Sequence, residues 1–525
     1  MLSIIKSFGL NGIDGYEVCA EVDINQGIPS YDIVGLVGTA IKESKERVRS
    51  AIKNSGFNYP ITRITVNLAP ANTHKDGPVY DLAIAVGILS ATNQIKIENT
   101  KNFVFLGELS LDGTIRKING VLPILISAKQ LGITNLIIPY DNKNEASFLK
   151  GLNVYAVKSL KEVVSFLNNE TKFEPILFCD YNETIKNFES PYNFKNVKGQ
   201  SAAKRALEIA AAGGHNILMV GPPGSGKTLL AKCFPSILPN LTFEEALEVT
   251  KIHSVAGVLD NSVGIVCSRP FRSPHHTTTT VALTGGGRTA KPGEISLAHN
   301  GVLFLDELPE YSRHAIETLR QPLEDGVINV SRIENTVEYP ANFTLIASMN
   351  PCPCGNFGNR EKECKCTPQQ IHKYLAKLSG PLMDRIDIHL EVDNVKFSDL
   401  KSTTEEESSE QIKQRVDKAR QIQLNRFKGA KNYSNSKMND VQLKKFCKLD
   451  AESEEILKLA FENFGLSARA YSRILKLART IADLDGQENI NANHLMEAIS
   501  YRTIDKKYWN NWFIFQGRWT RRIWR

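Results

Sequence analysis

The chain has 525 residues, which is too long for a single hydrophobic core and indicates several domains. A hydrophobic fraction of 42% and a charged fraction of 23% exclude a disordered, collagen-like or coiled-coil chain. The net charge of +7 is too small to indicate nucleic-acid binding by itself. The first residues lack a signal-peptide pattern, and no run of about 18 uncharged apolar residues occurs, so we expect a cytoplasmic protein without membrane contact.

Residues 1–168 are expected to form one α/β unit. Helical patterns cover about residues 40–55, 80–92 and 122–131. Apolar or alternating runs predict strands at Tyr16–Val22, Ile64–Leu68, Phe103–Leu109 and Asn135–Pro139. Residues 169–195 have no clear period, and we interpret them as a linker.

A second α/β unit is expected over residues 196–395. Its apolar strands Asn216–Val220, Gly301–Leu305 and Phe343–Met349 alternate with helical segments, which indicates a parallel sheet covered by helices. Residues 396–430 are interpreted as a polar, acidic connector, and residues 431–508 as a helical lid.

The last segment, residues 509–525, is basic and contains all four tryptophans of the chain. Such a tail suits stacking on single-stranded bases or binding to a membrane surface. An extension without a function is the third interpretation, since nothing upstream requires the tail.

A phosphate-binding loop follows the strand that ends at Val220. The stretch GPPGSGKT matches the P-loop pattern GxxxxGK[ST] at every position. Its glycines let backbone N–H groups converge on phosphate oxygens, its lysine neutralises phosphate charge, and its threonine hydroxyl can bind Mg²⁺. The expected ATP-binding residues are Gly221, Pro222, Pro223, Gly224, Ser225, Gly226, Lys227 and Thr228.

Two acids end the strand Gly301–Leu305. We expect Asp306 to hold Mg²⁺ through water and Glu307 to polarise the attacking water. The next strand ends at Asn350, which can reach between the acids and the γ-phosphate; a simple turn before Pro351 is the alternative.

Four of the nine cysteines lie within fifteen residues, in the spacing CxC-x9-CxC. Four thiolates satisfy a tetrahedral Zn²⁺, although this spacing is shorter than that of common zinc knuckles. Reduced loop cysteines and a redox disulfide are the alternatives. The candidate zinc ligands are Cys352, Cys354, Cys364 and Cys366.

These motifs together resemble the YifB/ComM family of magnesium-chelatase-like AAA+ ATPases. The resemblance rests on GPPGSGKT, FRSPHHTTTT, PGEISLAHNGVLFLDELPEY, NPCPCG and KLSGPLMDRIDIHLEV, and it covers roughly residues 1–508. It implies an AAA+ P-loop core, a helical lid and a homo-hexameric ring that uses ATP and Mg²⁺. ComM proteins are regarded as branch-migration helicases of natural transformation, so the resemblance also implies a DNA partner.

The resemblance assigns further roles by position. Arg385 matches the arginine finger that completes the neighbouring subunit's site; an ion pair within the subunit, with Asp384 or Asp387, is the alternative. Arg469 matches the sensor-2 arginine of the lid, although Arg473 lies on the same helical face.

Two insertions also match this group of AAA+ proteins, at about residues 254–290 (helix-2 insertion) and at 327–341 (pre-sensor insertion), the second with a hairpin pattern. The resemblance implies that both face the pore of the ring. Candidate DNA contacts are Arg269, Arg272, Lys291 and Arg332. His275 and His276 are either metal ligands or part of a solvated loop.

The N-terminal unit contains KDGPVYDLA at residues 75–83, GEL at 107–109, ING at 118–120 and IIP at 137–139. With these stretches it resembles the proteolytic domain of Lon, which has a ribosomal-S5-like fold. The catalytic serine of that domain would fall at Val79 and its lysine at Leu122. Neither residue can attack a peptide bond or take a proton, so we interpret this unit as an inactive protease fold.

The leading functional hypothesis is an ATP-driven motor on branched or duplex DNA. The alternatives are an AAA+ ATPase that remodels proteins and a chelatase-type motor that acts on a partner enzyme. Arg332, Glu334 and Asn335 in the candidate pore hairpin suit phosphates better than the aromatic-apolar pair of protein threaders.

Overall fold

The computed structural model describes residues 1–185, 191–287, 290–331, 336–358, 362–395, 405–430, 434–464, 467–502 and 508. Arg332 and the tail 509–525 lie outside the described residues, so the predictions made for them stay predictions. Within the described part of the chain, no helix is both long and apolar enough to cross a lipid bilayer.

The N-terminal unit is built on a seven-stranded mixed sheet with the strand order β3-β4-β2-β1-β5-β8-β9. The small hairpin β6–β7 follows β5. Strands are present at each predicted position, although Phe103–Leu109 is divided between β5 and β6, whereas β1, β3, β7 and β9 were not predicted. The strands are β1 (Leu2–Asn11), β2 (Asp14–Asn25), β3 (Ser30–Val34), β4 (Arg63–Ala69), β5 (Phe103–Phe105), β6 (Glu108–Leu109), β7 (Ile115–Arg116), β8 (Asn135–Pro139) and β9 (Asn153–Val157).

Helices pack on this sheet and enclose its core. The helix Asp81–Ala91 is buried along its whole length, so its sequence is apolar on every side rather than amphipathic. The helices of the unit are Thr39–Lys42, Ser44–Asn54, Asp81–Ala91, Val121–Gln130, Lys143–Ala146 and Leu160–Leu167.

The second unit contains a five-stranded parallel sheet with the order β11-β14-β17-β10-β18. In the register of this sheet Val220 pairs with Met349, and Leu305 pairs with Ala347. The carboxyl ends of the three predicted strands therefore meet at one edge. The strands are β10 (Ile217–Val220), β11 (Phe271–Arg272), β14 (Val302–Leu305), β17 (Thr344–Met349) and β18 (Ile388–Glu391).

Both faces of this sheet are buried, which explains why its strands read as continuous apolar runs. Met219 and Phe304 face a core shared with the helix Ser201–Gly213, whereas Leu218 and Leu303 face a second core on the other side. The helices of this unit are Tyr181–Ile185, Ser201–Gly213, Lys227–Cys233, Phe243–Ala256, Thr280–Thr284, Glu294–Leu297, Arg313–Glu317, Arg320–Asp325, Pro368–Leu375 and Gly380–Met383.

Two short antiparallel hairpins project from the second unit. One joins β12 (Gly285–Gly286) to β13 (Lys291–Pro292), and the other joins β15 (Val327–Ser331) to β16 (Thr336–Pro340). The second is the hairpin that the alternating pattern predicts, and residues 332–335 at its turn lie outside the described residues.

The C-terminal region is helical, as predicted. The helix Ser409–Arg426 occupies part of the segment interpreted as a polar, acidic connector. Ile412, Val416 and Ala419 recur every three or four residues and bury one face in the core. The remaining helices are Asp440–Phe446, Ala451–Phe464, Ala468–Leu484 and Ala492–Ser500.

The N-terminal unit docks on the helix Phe243–Ala256 of the second unit. The backbone N–H of Gly120 donates to the hydroxyl of Ser254 at 3.0 Å, and Asn144 Nδ2 donates to the carbonyl of Asn261 at 2.8 Å. Ser254 also donates to the buried carboxylate of Glu145. The polar groups of Gly120, Ser254 and Glu145 thus satisfy one another away from water, whereas the Asn144 contact is exposed.

Candidate nucleotide site

The P-loop follows β10 directly and leads into the helix Lys227–Cys233. Gly224 and Gly226 adopt φ angles of 82° and 89°, a region in which a side chain is strained. Lys227 is buried, and its Nζ donates to two carbonyl oxygens of the loop at 2.8 Å each. Burial lowers the pKa of Lys227, and the acidic pair at the end of β14 opposes that shift. The loop therefore has the shape and the cation needed for binding a polyphosphate.

Asp306 is fixed by three donors at the carboxyl end of β14. The Thr228 hydroxyl donates to Asp306 Oδ2 at 3.0 Å, and the backbone N–H of Glu307 donates to Oδ1 at 3.0 Å. The Ser348 hydroxyl donates to the same Oδ1. The paired oxygens of Thr228 and Asp306 are the donor set that P-loop ATPases use for Mg²⁺. Sequence reasoning gave Ser348 no role, because its contact with Asp306 depends on the neighbouring strand.

Glu307 lies at a strained backbone position, with φ 52° and ψ 48°. Its side chain is about half exposed, and its Oε2 lies 3.6 Å from His276 Nδ1. The Tyr311 hydroxyl donates to the carbonyl of Pro274 at 2.5 Å and holds the segment that precedes His276. The predicted base thus faces a histidine of the helix-2 insertion, a contact that the sequence did not reveal.

Asn350 directly follows β17 and lies at the same edge of the sheet as the P-loop. Its Oδ1 lies 3.5 Å from Lys227 Nζ, and the preceding carbonyl of Met349 accepts from the N–H of Gly221 at 3.1 Å. The structure thus brings Lys227, Thr228, Asp306, Glu307 and Asn350 together at one edge of the sheet.

Comparisons with known proteins cover the same units. A family model described as magnesium chelatase, subunit ChlI, matches residues 193–400, and two further models of this subunit match residues 20–142 and 406–502. Over 508 residues the chain is 44% identical to the competence protein ComM of Haemophilus influenzae, which covers 96% of this chain and 98% of that protein. It is 42% identical over 507 residues to YifB of Escherichia coli, with the same coverage.

The chain belongs to the YifB/ComM family of magnesium-chelatase-like AAA+ ATPases. Its N-terminal part has a further relative, because 137 residues are 35% identical to Lon protease 2 of Bacillus subtilis and cover 26% of this chain and 24% of that protein. Val79 borders a cavity of about 910 Å³ between the N-terminal unit and the ATPase core, whereas Leu122 is buried. Neither side chain can supply a nucleophile or a base.

Arg385, the arginine-finger candidate of this family, follows the helix Gly380–Met383 and is buried. Its guanidinium pairs with Glu324, and its Nη1 donates to the carbonyl of Pro381 at 2.7 Å. Its Nε has no partner among the described residues. The ion pair within the subunit exists, but its acid is Glu324 rather than either neighbouring aspartate.

The two lid arginines have different environments. Arg473 forms an ion pair with the buried Asp387 and donates to the carbonyl of Arg385 at 3.2 Å. Arg469 is 59% exposed, and its Nη1 lies 4.0 Å from Asp384 Oδ2. Because Arg473 neutralises a buried charge, Arg469 is the one available to a nucleotide.

Two of the candidate DNA contacts are engaged within the chain. Arg269 donates to the carbonyls of Pro239 and Asn300 at 2.6 and 2.7 Å. Arg272 forms a two-pronged ion pair with Glu294, with distances of 2.6 and 2.7 Å. These contacts engage both guanidinium groups within the chain, and a phosphate contact for either arginine stays a prediction. Their role is structural, because they tie the insertion to the sheet.

Lys291, another candidate DNA contact, has an exposed side chain. It lies in β13, is exposed, and borders the cavity between the N-terminal unit and the ATPase core. The rings of His275 and His276 are 4.1 Å apart, and His275 Nδ1 lies 2.9 Å from the Thr277 hydroxyl. Glu307 contacts His276, but within the described ranges these histidines belong to no group of three side chains placed closely enough to share a metal ion.

The four cysteines converge, although masked residues separate the two pairs in sequence. Their sulfur atoms all lie within 4.8 Å of one another, with three separations of 3.4, 3.6 and 3.6 Å. A tetrahedral Zn²⁺ with Zn–S bonds of about 2.3 Å requires separations of about 3.8 Å. Backbone N–H groups, that of Asn356 first, lower the pKa of Cys354 to about 6, whereas burial raises the pKa values of Cys364 and Cys366. We call these residues the four-cysteine cluster.

Proposed function

We propose that this protein is an ATP-hydrolysing ring motor that binds DNA and drives branch migration or unwinding. The observation that carries the ATPase part is the meeting of Thr228, Asp306 and Glu307 beside the P-loop. The DNA part of the proposal is supported by a relative, since the competence protein ComM is similar to this chain over nearly its whole length. The proposed biological process is recombination or natural transformation.

Each residue at the edge of the sheet has a distinct part in the proposed hydrolysis. Lys227 binds the β- and γ-phosphates, and Asn350 orients the γ-phosphate from the other side. Mg²⁺, held by Thr228 and by Asp306 through water, would neutralise charge on the phosphates. Glu307 accepts a hydrogen bond from the attacking water and aligns it for displacement of ADP. A contact of Glu307 with His276 links this step to the helix-2 insertion.

The ring is the second part of the proposal. A homo-hexamer would place Arg385 of one subunit at the γ-phosphate held by its neighbour. Glu324, about half exposed, is the acid that Arg385 would leave in order to reach the nucleotide. Arg469 of the lid would contact the same phosphate from within the subunit, since its charge is exposed.

We propose that the motor moves along DNA. The hairpin β15–β16 and the neighbouring β13 carry Arg332 and Lys291, which would contact phosphates in the pore of the ring. Such contacts neutralise backbone charge without reading sequence. We also propose Zn²⁺ as a cofactor, bound at the four-cysteine cluster, whose sulfur–sulfur separations suit a tetrahedral zinc site.

The discriminating experiment is an ATPase assay with single-stranded, duplex and forked DNA at low salt. DNA should bind and stimulate turnover, and forked DNA should be unwound. Arg332→Ala should weaken binding similarly for all sequences and lower the salt slope by about one. Stimulation by an unfolded polypeptide instead of DNA would favour a protein-remodelling or chelatase-type motor.

A further inference from the structure

The four-cysteine cluster lies against the nucleotide site rather than apart from it. Cys352 is fully buried and follows Asn350 by two residues, with Pro351 between them. Asn350 is also the residue whose Oδ1 faces Lys227 Nζ at 3.5 Å. Pro351, whose ring fixes its φ angle, is thus the one residue that separates the cluster from Asn350 along the backbone.

A second contact joins the same loop to the P-loop. A side-chain carbon at Gly355 would lie 2.5 Å from Pro223 Cδ, so the backbone of Gly355 lies against the ring of Pro223. Gly355 has a φ of 80°, and its N–H donates to the carbonyl of Cys352 at 3.0 Å. The first pair of cysteines thus forms a tight turn whose back rests on the phosphate-binding loop.

The other side of the turn is attached to the core. The backbone N–H of Phe357 donates to Cys352 Sγ at 3.3 Å. The Phe357 ring packs against the core on the far face of the sheet, and its centroid is 6.1 Å from that of Tyr508. Cys352 is consequently the point where the turn, the core and the end of β17 meet.

The second pair of cysteines is joined to the first through its sulfur atoms. No helix or strand is found among the described residues between Met349 and Pro368. Thiol–thiol hydrogen bonds are weak, whereas metal binding supplies folding free energy to the segment that carries the ligands. A Zn²⁺ ion would therefore strengthen the link between the two cysteine pairs.

We infer that Zn²⁺ in the four-cysteine cluster positions Asn350 and the P-loop for ATP hydrolysis, so that turnover depends on the metal. The inference rests on the proposed zinc site and adds a role to it. The ion remains outside the reaction itself, because its four thiolate ligands leave no open coordination position. Its effect is geometric, and misplacement by about 1 Å can lower a rate by about 10²-fold.

The experiment compares zinc content and turnover in matched variants of the full chain. Cys364→Ser should release zinc and lower kcat by roughly 10- to 100-fold. Cys366→His retains a zinc-binding side chain and should keep both the metal and the turnover. Cys19→Ser, in strand β2 of the N-terminal unit, is the control cysteine and should behave as wild type.

A double variant tests whether the effect passes through Asn350. If it does, Cys364→Ser should lower kcat by a much smaller factor in the Asn350→Ala background than in wild type. Equal losses in both backgrounds would overturn this route. If Cys364→Ser does not fold, a thiophilic chelator can remove zinc from the wild-type protein, and adding Zn²⁺ back should restore turnover.

The outcomes separate this inference from the proposed function. Wild-type protein purified under reducing conditions without any zinc would reject the zinc site and, with it, this inference. Zinc near one per chain with full turnover after its removal would overturn the positioning role alone. DNA-independent turnover serves as the readout, so failure of the DNA proposal would leave the result interpretable.

Discussion

Asp387 is expected to be the most sensitive ionic position between the lid and the ATPase core. It is buried, forms an ion pair with Arg473 of the helix Ala468–Leu484, and lies 3.2 Å from His215 Nδ1. Burial alone would raise the pKa of Asp387, but Arg473 and His215 outweigh it and hold the pKa well below its usual range. Asp387→Asn removes this charge and leaves Arg473 without its counter-ion. Loss of one partner of a buried pair costs about 3–5 kcal/mol.

A matched pair in the same region supplies the control. Arg469, on the same helix, lies 4.0 Å from Asp384, but both side chains are substantially exposed. Removal of an exposed pair costs less than about 1 kcal/mol. Asp384→Asn should therefore leave the stability of the lid nearly unchanged.

Hydrogen exchange of the helix Ala468–Leu484 measures this difference locally, which avoids a two-state assumption for a multi-domain chain. Asp387→Asn should reduce protection by about 10²- to 4 × 10³-fold, since about 1.4 kcal/mol corresponds to tenfold. This helix contains no tryptophan of its own, because all four occur in residues 509–525. Equal protection in the two variants would refute the argument from burial.

The pH dependence has a defined sign. Because the pKa of Asp387 is depressed on folding, its contribution is present above the unfolded pKa of about 3.9 and is lost as the pH falls further. The difference between wild type and Asp387→Asn should thus be constant near neutral pH and shrink below about pH 4. A difference that persists unchanged at pH 2 would contradict the proposed charge pairing.

The remaining predictions concern the catalytic site. Lys227→Ala should abolish nucleotide binding, measured with a fluorescent ATP analogue. Glu307→Gln should keep binding but lower kcat by about 10²–10⁴-fold; unchanged hydrolysis would exclude Glu307 as the base. Arg385→Ala should bind ATP and lose about 10³–10⁵ in kcat. Mixing it with Lys227→Ala protein should restore turnover, because mixed rings contain interfaces with both groups intact; no recovery in confirmed mixed rings would show that Arg385 acts within its subunit. Arg469→Ala should lower turnover with little loss of lid stability, whereas Arg473→Ala should mainly loosen the lid in hydrogen exchange.

Much of the nucleotide site follows from the sequence because its parts are contiguous. A P-loop is a single turn between a strand and a helix, so GPPGSGKT predicts both its chemistry and its placement. Likewise, the buried strands that end at Val220, Leu305 and Met349 are apolar throughout, and parallel strands in one sheet bring their carboxyl ends together. Composition and local pattern were sufficient for these elements, and the family comparisons agree with the interpretation.

The contacts that tune the site needed the tertiary structure. Ser348 on Asp306, His276 beside Glu307 and Glu324 on Arg385 join residues that are 31 to 61 positions apart, and no local period encodes such pairs. The same holds for Arg269, a candidate DNA contact in the sequence, whose guanidinium donates to carbonyls from two other segments. Sequence determines which chemical groups the chain can offer, whereas packing decides which of them remain available, because a buried charge or donor must find its partner within the fold.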